Sequence, residues 1–167
     1  MDWLLVLFRL THVPAAIIWA GSALFVSFYV EPAIQRAGPN AQPLVDMMDR
    51  TSAFFAIAAT LTVIGGSFLY IHDAGGLQLW TSTSGLVFTL GAVCGILAWA
   101  AGFTLILPTV KRIAAVGAEM KAAGGPPSAD LVARMAAAQH RLKRIGQVDT
   151  ILILVAILAM ATARYFV

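Results

Sequence analysis

Apolar residues in this chain gather into four long blocks, at about 3–30, 51–71, 79–107 and 145–166. Each reaches the roughly 20 residues of helix that cross a hydrocarbon core. The first block ends at Glu31-Pro32. A polar stretch with Gly38-Pro39-Asn40 and Pro43 follows, then a short segment holding Asp46, Asp49 and Arg50. His72-Asp73-Ala74-Gly75-Gly76 reads as a tight turn between the second and third blocks. Pro108 marks a kink or boundary at the end of the third. From Thr109 to Ala123, Lys111, Arg112, Glu119 and Lys121 mix with apolar residues, as in an amphipathic helix continuing span three outside the core. Gly124-Gly125-Pro126-Pro127-Ser128 breaks it, and Ser128 is placed to N-cap a helix starting near Ala129. That helix carries Arg134, His140, Arg141, Lys143 and Arg144 before it becomes span four. The pattern predicts an all-α, integral membrane four-helix bundle, one membrane domain over 1–167. Spans three and four extend as an amphipathic hairpin over about 109–144 that protrudes on the cytoplasmic side. Pro32-Ala-Ile-Gln-Arg36 and Pro108-Thr-Val-Lys-Arg112 end the first and third spans alike, which suggests two tandem helical hairpins.

Composition agrees and excludes a soluble domain. Hydrophobic residues make up 60% of the chain and charged residues 11%, against about 25% charged in a soluble domain. The lipid bilayer is therefore the expected partner. Asp2 and Arg9 do not suit a signal peptide, and the apolar run continues past Tyr29, so the first block reads as an uncleaved span. Cys94 is the one cysteine, which rules out a disulfide within the chain and a thiolate metal cluster. The net charge of +3 has nearly all its excess in one loop and is a topology signal rather than a nucleic-acid footprint. Arg36 and Arg50 lie between spans one and two. Lys111, Arg112, Lys121, Arg134, Arg141, Lys143 and Arg144 lie between spans three and four, and only Arg9 and Arg164 sit on the other side. The positive-inside rule then puts both long loops in the cytoplasm and both termini outside.

The candidate chemistry centres on His12, a third of the way into span one. An imidazole at that depth is costly and is a functional candidate. It shares a helical stripe with Ala16, Trp19, Ala23 and Val26, beside the small Gly21 and Ser22. A neutral imidazole is a good ligand for haem iron or copper. It serves equally as a packing residue hydrogen-bonded across helices to a Ser, Thr or carbonyl. His72 lies on the same outward side and is a candidate second ligand, several ångströms nearer water than His12 by helical rise. Otherwise it is an interfacial histidine in a turn. Arg9, three residues from His12, and Arg164 at the end of span four would suit haem propionates. They could also snorkel to lipid phosphates or pair with Asp2 and Asp73. Asp149 reads as half of an ion pair with Arg144 or Arg50, His140 as a solvated residue, Gly65-Gly66 as close helix packing, and Met47-Met48 as a faint soft-metal patch. The chain has no phosphate-cradling glycine loop, no nucleophile elbow and no HExxH.

The spacing His12-x6-Trp19-x-Gly21, followed by Phe25 and Pro32, resembles a superfamily of small bacterial membrane proteins. It includes the copper-resistance D proteins, similar four-helix proteins of uncharacterised function, and the HemJ-type protoporphyrinogen oxidases, which look like cytochrome-b-type bundles. Where HemJ-type proteins continue into Leu-Pro-Arg and a second histidine, this chain reads Phe25-Val-Ser-Phe-Tyr-Val-Glu31-Pro32, and span three has no lysine before Lys111. The resemblance is thus closer to the copper-resistance-D-like branch, and it carries over His12 as functional residue with Trp19 and Gly21 as its packing context. It implies a bacterial inner-membrane protein. The expectation is a haem b redox or electron-transfer protein with His12 as axial ligand, copper handling through His12 being the alternative. A third expectation is an accessory subunit of a larger membrane complex, and the chain could form a homo-oligomer.

Overall fold

The computed structural model describes residues 2–37, 42–73 and 81–166. Among the described residues four long apolar helices make up the fold, each long and apolar enough to cross a membrane. This is an all-α, multi-pass membrane protein. Helix α1 covers Trp3–Ala37, α2 Gln42–Asp73, α3 Thr83–Ala122 and α4 Ala129–Thr162, which ends in a 3₁₀ turn at Ala163–Tyr165. The expected turn over Ala74-Gly75-Gly76 and the Gly38-Pro39-Asn40 stretch lie outside the described residues.

The helix ends follow from local chemistry. Asp2 caps α1, its carboxylate accepting from the backbone N–H of Leu4 at 3.1 Å and of Leu5 at 3.4 Å. Ser82 Oγ accepts from Gly85 N–H at the start of α3, and Ser128 Oγ from Leu131 N–H at the start of α4. These caps satisfy donors that a helix start leaves open. Gly124 ends α3 at φ +63°, a left-handed conformation that a residue without Cβ adopts freely. The described part of α2 begins at Gln42, nine residues before the apolar block, so Asp46, Asp49 and Arg50 ride on the same helix as the span.

Two of the helix-internal prolines, Pro32 and Pro108, come with the same local device, whereas Pro14 lies within regular α-helix. Val26–Val30 and Gly102–Ile106 are π-helical turns, closed by Glu31 N–H to Val26 O and Leu107 N–H to Gly102 O. Each turn sits just ahead of its proline, Pro32 or Pro108. Proline has no N–H, and its ring clashes with the carbonyl four residues back. Widening the turn before it lets the helix continue without a break. The two turns and the two prolines are each 76 positions apart, as are Arg36 and Arg112. That equal spacing supports the tandem-hairpin reading with backbone geometry. Pro108 is therefore not a helix boundary.

Two compact units emerge, residues 1–99 with 150–167, and residues 100–149. In the first, neighbouring helices touch in a ring. Helix α1 packs on α2 through stacked Phe8 and Phe68, ring centroids 4.4 Å apart. Helix α2 meets α3 where Tyr70 stacks on Phe88 and where Trp99 Nε1–H donates to Thr60 Oγ1. The Thr89 hydroxyl donates to Gly85 O, so Tyr70 O–H is the donor in its 2.8 Å bond to Thr89. Gly91 on α3 lies against Ala156, Ala159 and Met160 on α4. Ser27 and Thr150 close the ring with a 2.8 Å hydroxyl–hydroxyl bond between α1 and α4. The core is built from small residues, with Ala15, Ala58, Ala59, Cys94, Ala98, Ala156 and Ala159 all buried. Lipid gives no hydrophobic reason for helices to associate, so close approach and interhelical hydrogen bonds carry the packing. Leu10, Ile17, Phe25, Phe54, Ile57 and Ile71 are turned outward, as a bilayer-facing surface requires.

In the second unit, the end of α3 and the start of α4 pair through Glu119 and Arg134. The guanidinium donates to both carboxylate oxygens, at 2.8 and 3.1 Å.

Candidate functional site

His12 lies in the first unit where α1 crosses the glycine pair of α2. Its Nδ1 is 2.7 Å from the backbone carbonyl oxygen of Thr62. A carbonyl can only accept, so Nδ1 carries the proton. In a neutral imidazole the lone pair then rests on Nε2, and Nε2 has no hydrogen-bond partner among the described residues. Hydrogen-bonding one ring nitrogen to a carbonyl is also how metal-bound histidines are oriented.

Glycine makes this contact possible. A helical carbonyl points toward residue i+4, which for Thr62 is Gly66. A Cβ built on Gly66 would stand 2.7 Å from Cε1 and 3.0 Å from Nδ1 of His12. The Nδ1–Cε1 edge of the ring therefore occupies the space a side chain would fill, with Nδ1 in reach of the Thr62 carbonyl. Gly65 serves the backbone instead. A Cβ there would meet His12 Cβ at 3.1 Å and His12 Cα and N at 3.4 Å. The Thr62 hydroxyl turns away to donate to Ala58 O, leaving its carbonyl to the imidazole.

The cross-helix hydrogen bond anticipated for His12 thus exists, and it uses one nitrogen only. Gly65-Gly66 is close packing as expected, and its partner is His12 itself, a pairing that sequence reasoning had not made. The signal was available, because spans one and two are antiparallel and both features sit partway down from the same end.

His72 is not brought to His12. It follows Gly66 by six residues, about 9 Å along the axis, and its Nε2 is 3.1 Å from Asp2 Oδ2. Asp2 thereby ties the end of α2 to the start of α1, so its described partners are His72 and the α1 backbone rather than an arginine. Arg164 donates to the Tyr165 hydroxyl at 2.8 Å, with its guanidinium 4.9 Å from the centroid of that ring. Arg9 is exposed, one turn above His12 on α1. Trp19 is half-buried on the His12 stripe, whereas Gly21 faces open space with nothing within 4 Å of a Cβ built there. His140 is exposed on α4, as expected.

Among the described residues no three His, Cys, Asp or Glu side chains gather as a metal-binding group. Asp149 departs from expectation. It forms no ion pair with Arg144 among the described residues, and its Oδ1 is buried without a hydrogen-bond partner there.

The donor chemistry fits one axial ligand of a haem iron: a neutral imidazole, oriented through Nδ1 and carrying its lone pair on Nε2. It does not fit a bis-histidine pair of His12 and His72. No family model, characterised protein or solved structure matches this chain.

Proposed function

We propose that this protein is a small haem-b-binding redox or electron-transfer protein of the bacterial inner membrane, with both termini on the outer side. His12 Nε2 is the proposed axial ligand. The supporting observation is the 2.7 Å bond from His12 Nδ1–H to the Thr62 carbonyl. It fixes the tautomer, aims the ring, and leaves a lone pair at membrane depth, where an imidazole is otherwise costly. Gly66 makes room for the ring, and Gly65 lets the His12 backbone approach α2. Arg9, one turn from His12 in α1, and Arg164 are the candidates for propionates, and each would first have to leave a partner it already has. A bound haem would supply one-electron chemistry. The chain's own part is to present one imidazole, orient it and surround it with small apolar residues. A copper site would need donors beyond His12, and among the described residues no group of three His, Cys, Asp or Glu side chains includes it. The resemblance to copper-resistance-D-like proteins supports the haem reading through the His12–Trp19–Gly21 spacing alone.

One observation favours a second reading. The fit of His12 on Gly65 and Gly66 is close enough to serve as a helix clamp by itself, which would suit a cofactor-free accessory subunit. An absorption spectrum of the detergent-purified protein, oxidised and then dithionite-reduced, with a pyridine haemochrome assay, separates them. A Soret band with sharp reduced α and β bands is the expected result. A colourless, folded protein that also stays colourless on haemin addition would support the clamp and refute the haem reading.

A further inference from the structure

We infer that residues 100–149 form a binding site for an anionic phospholipid, the headgroup held by Arg112, Arg141 and Arg144 and an acyl chain laid in the groove beside them. Glu119 and Arg134 fix the level of α3 against α4. Seven residues is two helical turns, about 10.5 Å, and returns to nearly the same face. Two turns back in α3 and two forward in α4 bring Arg112 level with Arg141. Further along, Leu105 and Val148 line the same apolar hollow. One face of the helix pair therefore passes from an ion pair to an arginine pair and then to apolar side chains.

The apolar end is a hollow of about 220 Å³ lined by Ala101, Leu105, Arg144, Ile145, Val148 and Asp149. Arg144 stands at its rim, one turn from Arg141. Arg112, Arg141 and Arg144 are all exposed, and none has a hydrogen-bond or ion-pair partner among the described residues. Arg134 differs, because Glu119 and Asp130 occupy it. Three unneutralised guanidinium groups beside an apolar groove at the end of a membrane span match an amphiphile with a phosphate at one end and a hydrocarbon chain at the other. Asp149 also lines the groove, yet its Oδ1 is buried, so that oxygen is withheld from the phosphate. A soluble anion would use the arginines and leave the groove without purpose, so the occupant is a lipid.

Native mass spectrometry of the full chain in detergent tests this, with dioleoylphosphatidylglycerol and dioleoylphosphatidylcholine as probes. The anionic lipid should bind at least about tenfold more tightly. Arg112→Gln, Arg141→Gln and Arg144→Gln should each weaken it about fivefold, and the triple variant should bind both lipids equally. Leu105→Trp with Val148→Trp, which fills the groove and keeps the charges, should weaken phosphatidylglycerol binding as well. Inorganic phosphate at the same concentration should not compete. Lys121→Gln, a cation away from the groove, should change nothing. Equal affinity for the two lipids in the native chain would overturn the proposal. So would a triple variant that keeps the preference, a filled groove without effect, competition by inorganic phosphate, or a loss with Lys121→Gln equal to that of an arginine variant.

Discussion

Replacing Gly66 with alanine puts a methyl group where the His12 ring lies, and its effect can be worked from three distances. The new Cβ would stand 2.7 Å from Cε1 and 3.0 Å from Nδ1. Carbon atoms rest at about 3.5–4.0 Å, so the ring must retreat by roughly 1 Å. The bond from Nδ1 to Thr62 O then stretches from 2.7 Å beyond hydrogen-bonding range. Losing an interhelical hydrogen bond in a membrane costs about 0.6 kcal/mol, and up to about 1.7. Overpacking adds about 1 kcal/mol. The better helix propensity of alanine returns about 1 kcal/mol. Gly66→Ala should therefore destabilise the native protein by about 1 kcal/mol. In a His12→Ala background no ring is present to displace. The same substitution should then stabilise by up to about 1 kcal/mol, a coupling of about 2 kcal/mol between positions 12 and 66. Equilibrium unfolding of the four proteins in mixed micelles, followed by circular dichroism, measures that coupling. If Gly66→Ala has the same effect with and without the His12 ring, the ring does not lie on Gly66 and the site as described is wrong.

Other substitutions probe separate parts of the structure. Gly65→Ala should be worse than Gly66→Ala and insensitive to removal of the ring, because its Cβ meets His12 backbone atoms and Cβ; the same unfolding series shows it. Gly91→Leu forces a side chain into Met160 Cγ at 3.0 Å, Ala159 Cβ at 3.1 Å and Ala156 O at 3.3 Å. It should lower stability by about 3 kcal/mol or prevent folding, read as lost helicity or aggregation on size exclusion. Asp149→Asn should leave the melting temperature unchanged or raise it, because Oδ1 is already buried without a partner among the described residues; a clear drop would restore the ion pair with an arginine.

Much of this fold was legible because lipid imposes a simple rule, that a span is an apolar block of sufficient length. The caps at Ser128 and the stop at Gly124 were legible for the same kind of reason, since each residue type has a local backbone role. The start of α2 was not. Asp46, Asp49 and Arg50 mark where the hydrocarbon ends, while the helix runs on past them into a polar region that hydropathy does not read as helical. Nor were the π turns, because a proline announces that a helical bond is missing without saying whether the helix stops, kinks or widens. The site was half legible. His12 stood out by its depth and Gly65-Gly66 by size, but only the register of α1 against α2 joined them. Asp149 was misread because Arg144, five residues away, is not a neighbour on a helix surface, where residues three and four apart meet.

The central claim, ligation through His12 Nε2, is tested most directly by the haem content per chain of His12→Ala against the native protein. Both would be purified in the same detergent, with helicity confirmed by circular dichroism. Haem near one per chain is expected in the native protein, and its loss, together with the Soret band, in His12→Ala. A folded His12→Ala protein that keeps the native haem content and spectrum would contradict it.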